Sequence, residues 1–135
     1  MDLFRSLDIS ASGLTAQRAR MDVIAANLAN VDTTSVRTEM RDGELRHVPY
    51  RRRIAVLLEG ANGLPSAKVI EDPSAFRAEH QPGHPHAVGG TVLFPNVDPM
   101  VETMDMMAAS RAYEANVTAA EVAKAMQQSA LRILG

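Results

Sequence analysis

No cysteine and no tryptophan occur among the 135 residues of the chain, and aromatics are limited to three phenylalanines and two tyrosines. Without cysteine there can be no disulfide, thiol nucleophile or thiolate metal site, and the redox compartment is left open. Scarce aromatics limit the core, because each buried ring contributes roughly 150–250 Å² of apolar surface. Hydrophobic residues still make up 46% of the sequence, but much of that is alanine, valine and methionine. Small and flexible side chains suit close helix–helix contact better than a thick core. The formal net charge is −2, without the positive excess that marks a nucleic-acid binder. No apolar run approaches the roughly 20 residues that span a bilayer, so no membrane insertion is expected. The opening residues MDLFRSLDIS mix acidic and basic side chains where a secretory signal would hold its apolar stretch. A cleaved leader is not expected.

What the chain does have falls into three regions. Residues 2–30 show helical periodicity: Leu7, Leu14, Met21 and Leu28 recur every seven positions, with Leu3, Ile24 and Val31 on an adjoining row. One narrow apolar stripe along a helix follows. A helical glycine costs about 1 kcal/mol against alanine, so Ser10, Ser12 and Gly13 suggest a bend near 9–13. Residues 31–95 hold six of the seven prolines and candidate strands at 50–59, 67–71 and 91–94, separated by turn residues. Asp98 then reads as an N-cap and Pro99 as the first helical residue, where its missing N–H costs nothing. Beyond it Val101, Met104, Ala108, Ala112, Ala115, Ala119, Val122, Met126, Ala130 and Ile133 step by three and four along one face.

The expected fold is mostly α. Residues 1–30 and 96–135 pair as a coiled-coil-like hairpin and form one helical unit, while 31–95 is a small irregular β-containing insert facing neighbours. The expected interface brings Leu7, Leu14, Met21, Ile24 and Leu28 to Val101, Met104, Ala108, Ala115, Val122, Met126 and Ile133, within one chain or between chains. An alanine-lined seam buries little area, and at about 25 cal/mol per Å² it stabilises less than a leucine-lined one. Such a hairpin is expected to be marginal until neighbours cover its other faces.

Chemical motifs are few. HQPGHPH places His80, His84 and His86 near Glu79, but Pro82, Gly83 and Pro85 forbid a helix that would align them as ligands. A polar proline-rich turn is the better reading. Arg51, Arg52 and Arg53 could grip phosphates, yet they lead into a β-like segment of a slightly acidic chain; a solvated or subunit-contacting face is expected. No nucleophile elbow or phosphate-binding glycine loop appears, so neither catalysis nor a cofactor is expected. The segment MDVIAANLANVDTTSVRT ends a helix in Asn27 and Asn30. Both can donate to unpaired helix-end carbonyls or close the helix in the left-handed conformation, with Thr33, Thr34 and Ser35 leading into an extended strand.

The segment ISASGLTAQRARMDVIAANLANVDTT, residues 9–34, resembles the N-terminal signature of the bacterial flagellar rod and hook proteins. PYRRRIAV, PGHPHAVGGTVLFPNVDPMVETMDMMAASRAYEANV and AKAMQQSALRILG are similar to its small proximal-rod branch, in order over nearly the whole chain. The resemblance marks Asn27, Asn30, Thr33, Thr34, Asn96, Arg111, Tyr113 and Asn116 as signature positions. It implies a non-enzymatic subunit whose paired terminal helices line a hollow axial tube in the periplasmic part of the basal body. It also implies copies of itself and other rod proteins as partners, and flagellar type III export without signal cleavage. The rival expectation is a soluble helical adaptor or secretion chaperone that binds a partner helix.

Overall fold

A computed structural model describes residues 3–134. Residues 1, 2 and 135, assigned to the helical ends by the periodicity, lie outside the described residues, as do the side chains of Leu3, Ala61 and Leu134. The element order is α1 (Leu3–Ala29), β1 (Arg37–Arg41), β2 (Glu44–Val48), β3 (Arg53–Glu59), β4 (Pro65–Glu71), β5 (Arg77–His80), β6 (Thr91–Phe94) and α2 (Pro99–Leu134). Two helices at the ends of the chain thus enclose a run of strands.

The helix α1 is continuous for 27 residues, about 40 Å at 1.5 Å per residue. No break interrupts it at 9–13. Gly13 is there for packing: a Cβ at this position would lie 3.0 Å from Asn116 Nδ2 and 3.2 Å from its Cγ, so the missing side chain lets α2 approach. The hydroxyls of Ser12 and Thr15 fold back onto the carbonyls of Ile9 and Ala11, inside the helix.

The helix α2 is longer, at 36 residues. Asp98 caps it as expected: its Oδ1 accepts from the N–H groups of Met100 at 2.9 Å and Val101 at 3.4 Å. Pairs along the seam run Gly13 with Asn116, Arg20 with Asp105 and Asn27 with Glu102. The sequence numbers rise on one helix as they fall on the other, so α1 and α2 pack antiparallel.

Between them lie three separate two-stranded antiparallel ribbons, β1–β2, β3–β4 and β5–β6. The insert is therefore more regular than expected. The β3–β4 ribbon is packed along α1, where Ser12, Thr15, Ala16 and Ala19 face Pro65, Ser66 and Ala67 across a groove. Small side chains on both sides allow the ribbon to lie close. Tyr50, Val92, Phe94, Pro95 and Val97 are also buried, the last four on β6 and the short segment that leads into α2.

Candidate functional site

The end of α1, the start of β3 and the first turn of α2 meet at one place, and the residues that meet there are polar. Asn27 is 1% exposed. Its Nδ2 donates to the Arg53 carbonyl at 2.8 Å and to Glu102 Oε2 at 3.0 Å. Its Oδ1 accepts from the Tyr50 hydroxyl and from the Arg53 N–H, both at 3.0 Å. An asparagine side chain offers two donor hydrogens and two acceptor lone pairs, and all four are used.

Glu102, also 1% exposed, is gripped from its other side by Arg52, whose Nε donates to Oε1 at 2.5 Å. A carboxylate in the first turn of a helix is favoured by the partial positive charge of that end. The same guanidinium reaches Asp72 Oδ2 at 3.2 Å and Asp105 Oδ2 at 3.7 Å. Asp105 in turn meets Arg20 of α1 at 3.4 Å. Asn96, just ahead of α2, accepts from the Arg52 N–H at 2.8 Å and donates to Ser74 Oγ at 2.9 Å.

This joint perturbs its titratable groups. Burial pulls the Arg52 guanidinium down, but its hydrogen bonds to Glu102 and Asp72 outweigh that and leave it above its ordinary value. Hydrogen bonds from the backbone and side chain of Ser74, with Arg52 beside it, hold the Asp72 carboxyl below the usual range. Burial pushes the Tyr50 phenol up, which keeps its proton available to Asn27. A one-residue slip of either helix would unmake the whole set, so the joint fixes the register of α1, α2 and β3 at once.

The signature asparagines divide their work differently from expectation. Asn30 does close the helix, donating to the Ala26 carbonyl at 2.9 Å and accepting from Thr33 Oγ1 at 3.1 Å. Asn27 does not cap; it is the centre of the joint. Neither adopts the left-handed conformation, which among the described non-glycine residues belongs to Asp42 and Asn62. The Thr33 carbonyl accepts from the Tyr50 N–H at 3.0 Å, and Thr34 is buried against His86. Asn116 lies half-buried opposite Gly13, Tyr113 is half-buried and Arg111 exposed. Glu102, Arg52 and Asp72 were not anticipated as a site.

Within the single chain, the residues of the expected interface differ in how far they are covered. On α1, Ile24 is buried and Leu7, Leu14, Met21 and Leu28 are half-buried. On α2, however, Val101, Met104, Ala108, Ala115, Val122, Met126 and Ile133 are all exposed. The buried row is instead Glu102, Ala109 and Ala123, with Asp105, Ala112, Asn116 and Ala120 half-covered beside it. This row is displaced by one residue, about 100° around the helix. The polar joint and the small alanines set which face turns inward, and the apolar row is left outside.

Comparison with known proteins places this arrangement in a class. Residues 7–35 match the family described as flagella basal body rod protein, and residues 88–133 match the flagellar basal body rod FlgEFG protein C-terminal family. These are the two segments that build α1, its exit and α2. Over the whole chain, the flagellar basal-body rod protein FlgC of Bacillus subtilis is 43% identical, covering 98% of this chain and 99% of its own. That of Borreliella burgdorferi is 37% identical over 99% of each, and that of Salmonella typhimurium 34% over 98% of each. The chain belongs to the FlgC family of flagellar basal-body rod proteins. It is a structural subunit of the rod, not an enzyme, and assembles with other flagellar rod components.

Proposed function

We propose that the chain works as a proximal-rod subunit, joined head to tail to copies of itself and to other rod proteins in a hollow axial shaft. In this reading it reaches the periplasm through the flagellar type III export apparatus, without cleavage of a signal. Residues 1–30 and 96–135 act as the coiled-coil-like unit of the tube, and 31–95 turns outward to neighbours.

One observation supports this most: the split between what α2 buries and what it leaves bare. Its inner face carries alanines and the Glu102 joint. Its outer face presents Met100, Val101, Met104, Met107, Val122, Met126 and Ile133 to solvent. An apolar row this long is costly in isolation and stabilising once covered. Methionine accommodates neighbours of slightly different shape, as an array of non-identical rod proteins requires. A surface that meets a different surface on the next copy propagates an open helical array. The expected interface residues Val101, Met104, Ala108, Ala115, Val122, Met126 and Ile133 then belong to contacts between subunits, and Leu14, Met21, Ile24 and Leu28 chiefly to contacts within one.

Mass spectrometry of detergent- and alkali-washed basal bodies tests the reading. The chain should be retained in fixed proportion to the other rod proteins. Recovery only as a folded soluble species, absent from the particles, would favour an adaptor or chaperone instead.

A further inference from the structure

We propose, resting on the rod-subunit reading, that Arg37, Arg51 and Arg53 form a receptor for one carboxylate carried by a neighbouring rod subunit. The joint consumes only the middle side chain of the run Arg51-Arg52-Arg53. Successive side chains of an extended segment point to opposite faces. With Arg52 turned in to Glu102, Arg51 and Arg53 share the other face.

Both are held in place without an acidic partner. Arg51 is half-buried. Its Nη1 donates to the carbonyls of Asp72 at 2.9 Å and Ser74 at 3.0 Å, and its guanidinium lies over the Phe76 ring, 4.2 Å from the centroid. Arg53 is fixed through its backbone, whose N–H and carbonyl both bond Asn27, and its guanidinium stands 5.7 Å from the Tyr50 ring centroid. None of the ion pairs among the described residues includes Arg51 or Arg53. Rings and neutral carbonyls orient a guanidinium and leave its positive charge in place.

The three arginines line one cavity of about 130 Å³, together with Tyr50, Phe76 and Glu71. Glu71 sits directly across the ladder from Arg53, and Arg37 pairs with Glu39 at 2.8 Å. Three cations against two carboxylates leave a surplus of one positive charge. A dianionic phosphate would overshoot that surplus and meet Glu71 as a like charge, whereas a single carboxylate matches it. The planar fork of arginine takes a carboxylate through two parallel hydrogen bonds, and Arg51 spends only Nη1 on the protein's own carbonyls. The chain carries the matching group as well. Glu114 and Glu121, seven positions apart on α2, are exposed and enter none of those ion pairs. An array built from unlike surfaces sets such a group on one subunit against a cationic pocket on the next.

Two measurements test the receptor. In nuclear magnetic resonance on the full chain, isotope-labelled in arginine, sodium acetate should move the Nε–H signals of Arg51 and Arg53 roughly fivefold further than those of the exposed Arg18 and Arg41, with sodium chloride at equal ionic strength as reference. In washed basal bodies from cells carrying Arg53→Gln or Arg51→Lys, the chain should fall roughly threefold below the parent relative to the other rod proteins; Arg41→Gln should leave it unchanged. Arg53 is exposed, so Arg53→Gln keeps the fold, which its urea midpoint checks. An acetate response no larger than that of Arg18 and Arg41 would overturn the assignment. Normal retention of both variants despite a selective response would overturn it too, because the pocket would then take free anions only. Absence of the parent chain from basal bodies would sink the rod reading and this receptor with it. The variants are read only against a retained parent, which keeps the two failures distinct.

Discussion

Replacing Asn27 by alanine should cost far more than an exposed helix-end asparagine would. The substitution removes four hydrogen bonds, three to neutral partners and one to the Glu102 carboxylate. At about 1 kcal/mol for each neutral bond and about 2 kcal/mol for the charged one, the upper figure is about 5 kcal/mol. Arg53 is exposed, so water entering the vacated space can serve its backbone groups. Tyr50 and Glu102, both buried, are less easily served, which sets the lower figure at about 3 kcal/mol. A domain of this kind has in all about 5–15 kcal/mol of stability. With a urea slope of about 1.5 kcal/mol per M, the unfolding midpoint followed by circular dichroism should drop by about 2–3 M. Asn30→Ala, which loses a bond to a helix-end carbonyl and one to Thr33, should cost about 1 kcal/mol. Equal and small losses in the two variants would refute the claim that Asn27 is the centre of the joint.

Three further outcomes follow from the same geometry. Glu102→Gln preserves shape but should lower stability by about 2 kcal/mol: both carboxylate oxygens accept, from Arg52 and Asn27, and an amide can satisfy only one of them; an unchanged urea midpoint would count against this. Gly13→Ala should fail to deliver the roughly 1 kcal/mol that alanine normally gains in a helix, because its Cβ meets Asn116, whereas the gain should return in an Asn116→Ala background, as thermal melts would show. Asp72 has a lowered folded-state value, so its stabilisation is complete above the ordinary carboxylate range and is lost as pH falls through and below that range. Urea midpoints at pH 5.5, 4 and 3 should accordingly fall less steeply for Asp72→Asn than for the parent chain.

Both helices were legible in the sequence, and the start of α2 to the residue, because Asp98 and Pro99 act locally through capping and a fixed φ. Their facing was not. An apolar row predicts burial when burial follows hydrophobicity, and here Glu102 turns inward while Met104 turns out. Gly13 looked like a weak point because propensity describes a lone helix; its reason lies in Asn116, a hundred residues on. The strands β1, β2 and β5 carry charge on exposed faces, as in Arg37–Arg41 and Glu44–Val48, so no alternation marks them. The Asp42–Gly43 turn, both residues at positive φ, was the available signal for a hairpin. Asn27 stood out as unusual, but its four partners come from distant segments that no local rule brings together.

The joint around Asn27 has a mechanical meaning for a shaft that carries torque. Hydrogen bonds and ion pairs lose most of their strength when stretched or bent beyond their narrow working geometry, whereas apolar contacts slide without a preferred direction. The link between helix pair and insert is therefore stiff and yields abruptly, while the methionine-rich outer face of α2 is compliant. In the packing proposed above, strain under twist should collect at these apolar boundaries between subunits and spare the shape of each one.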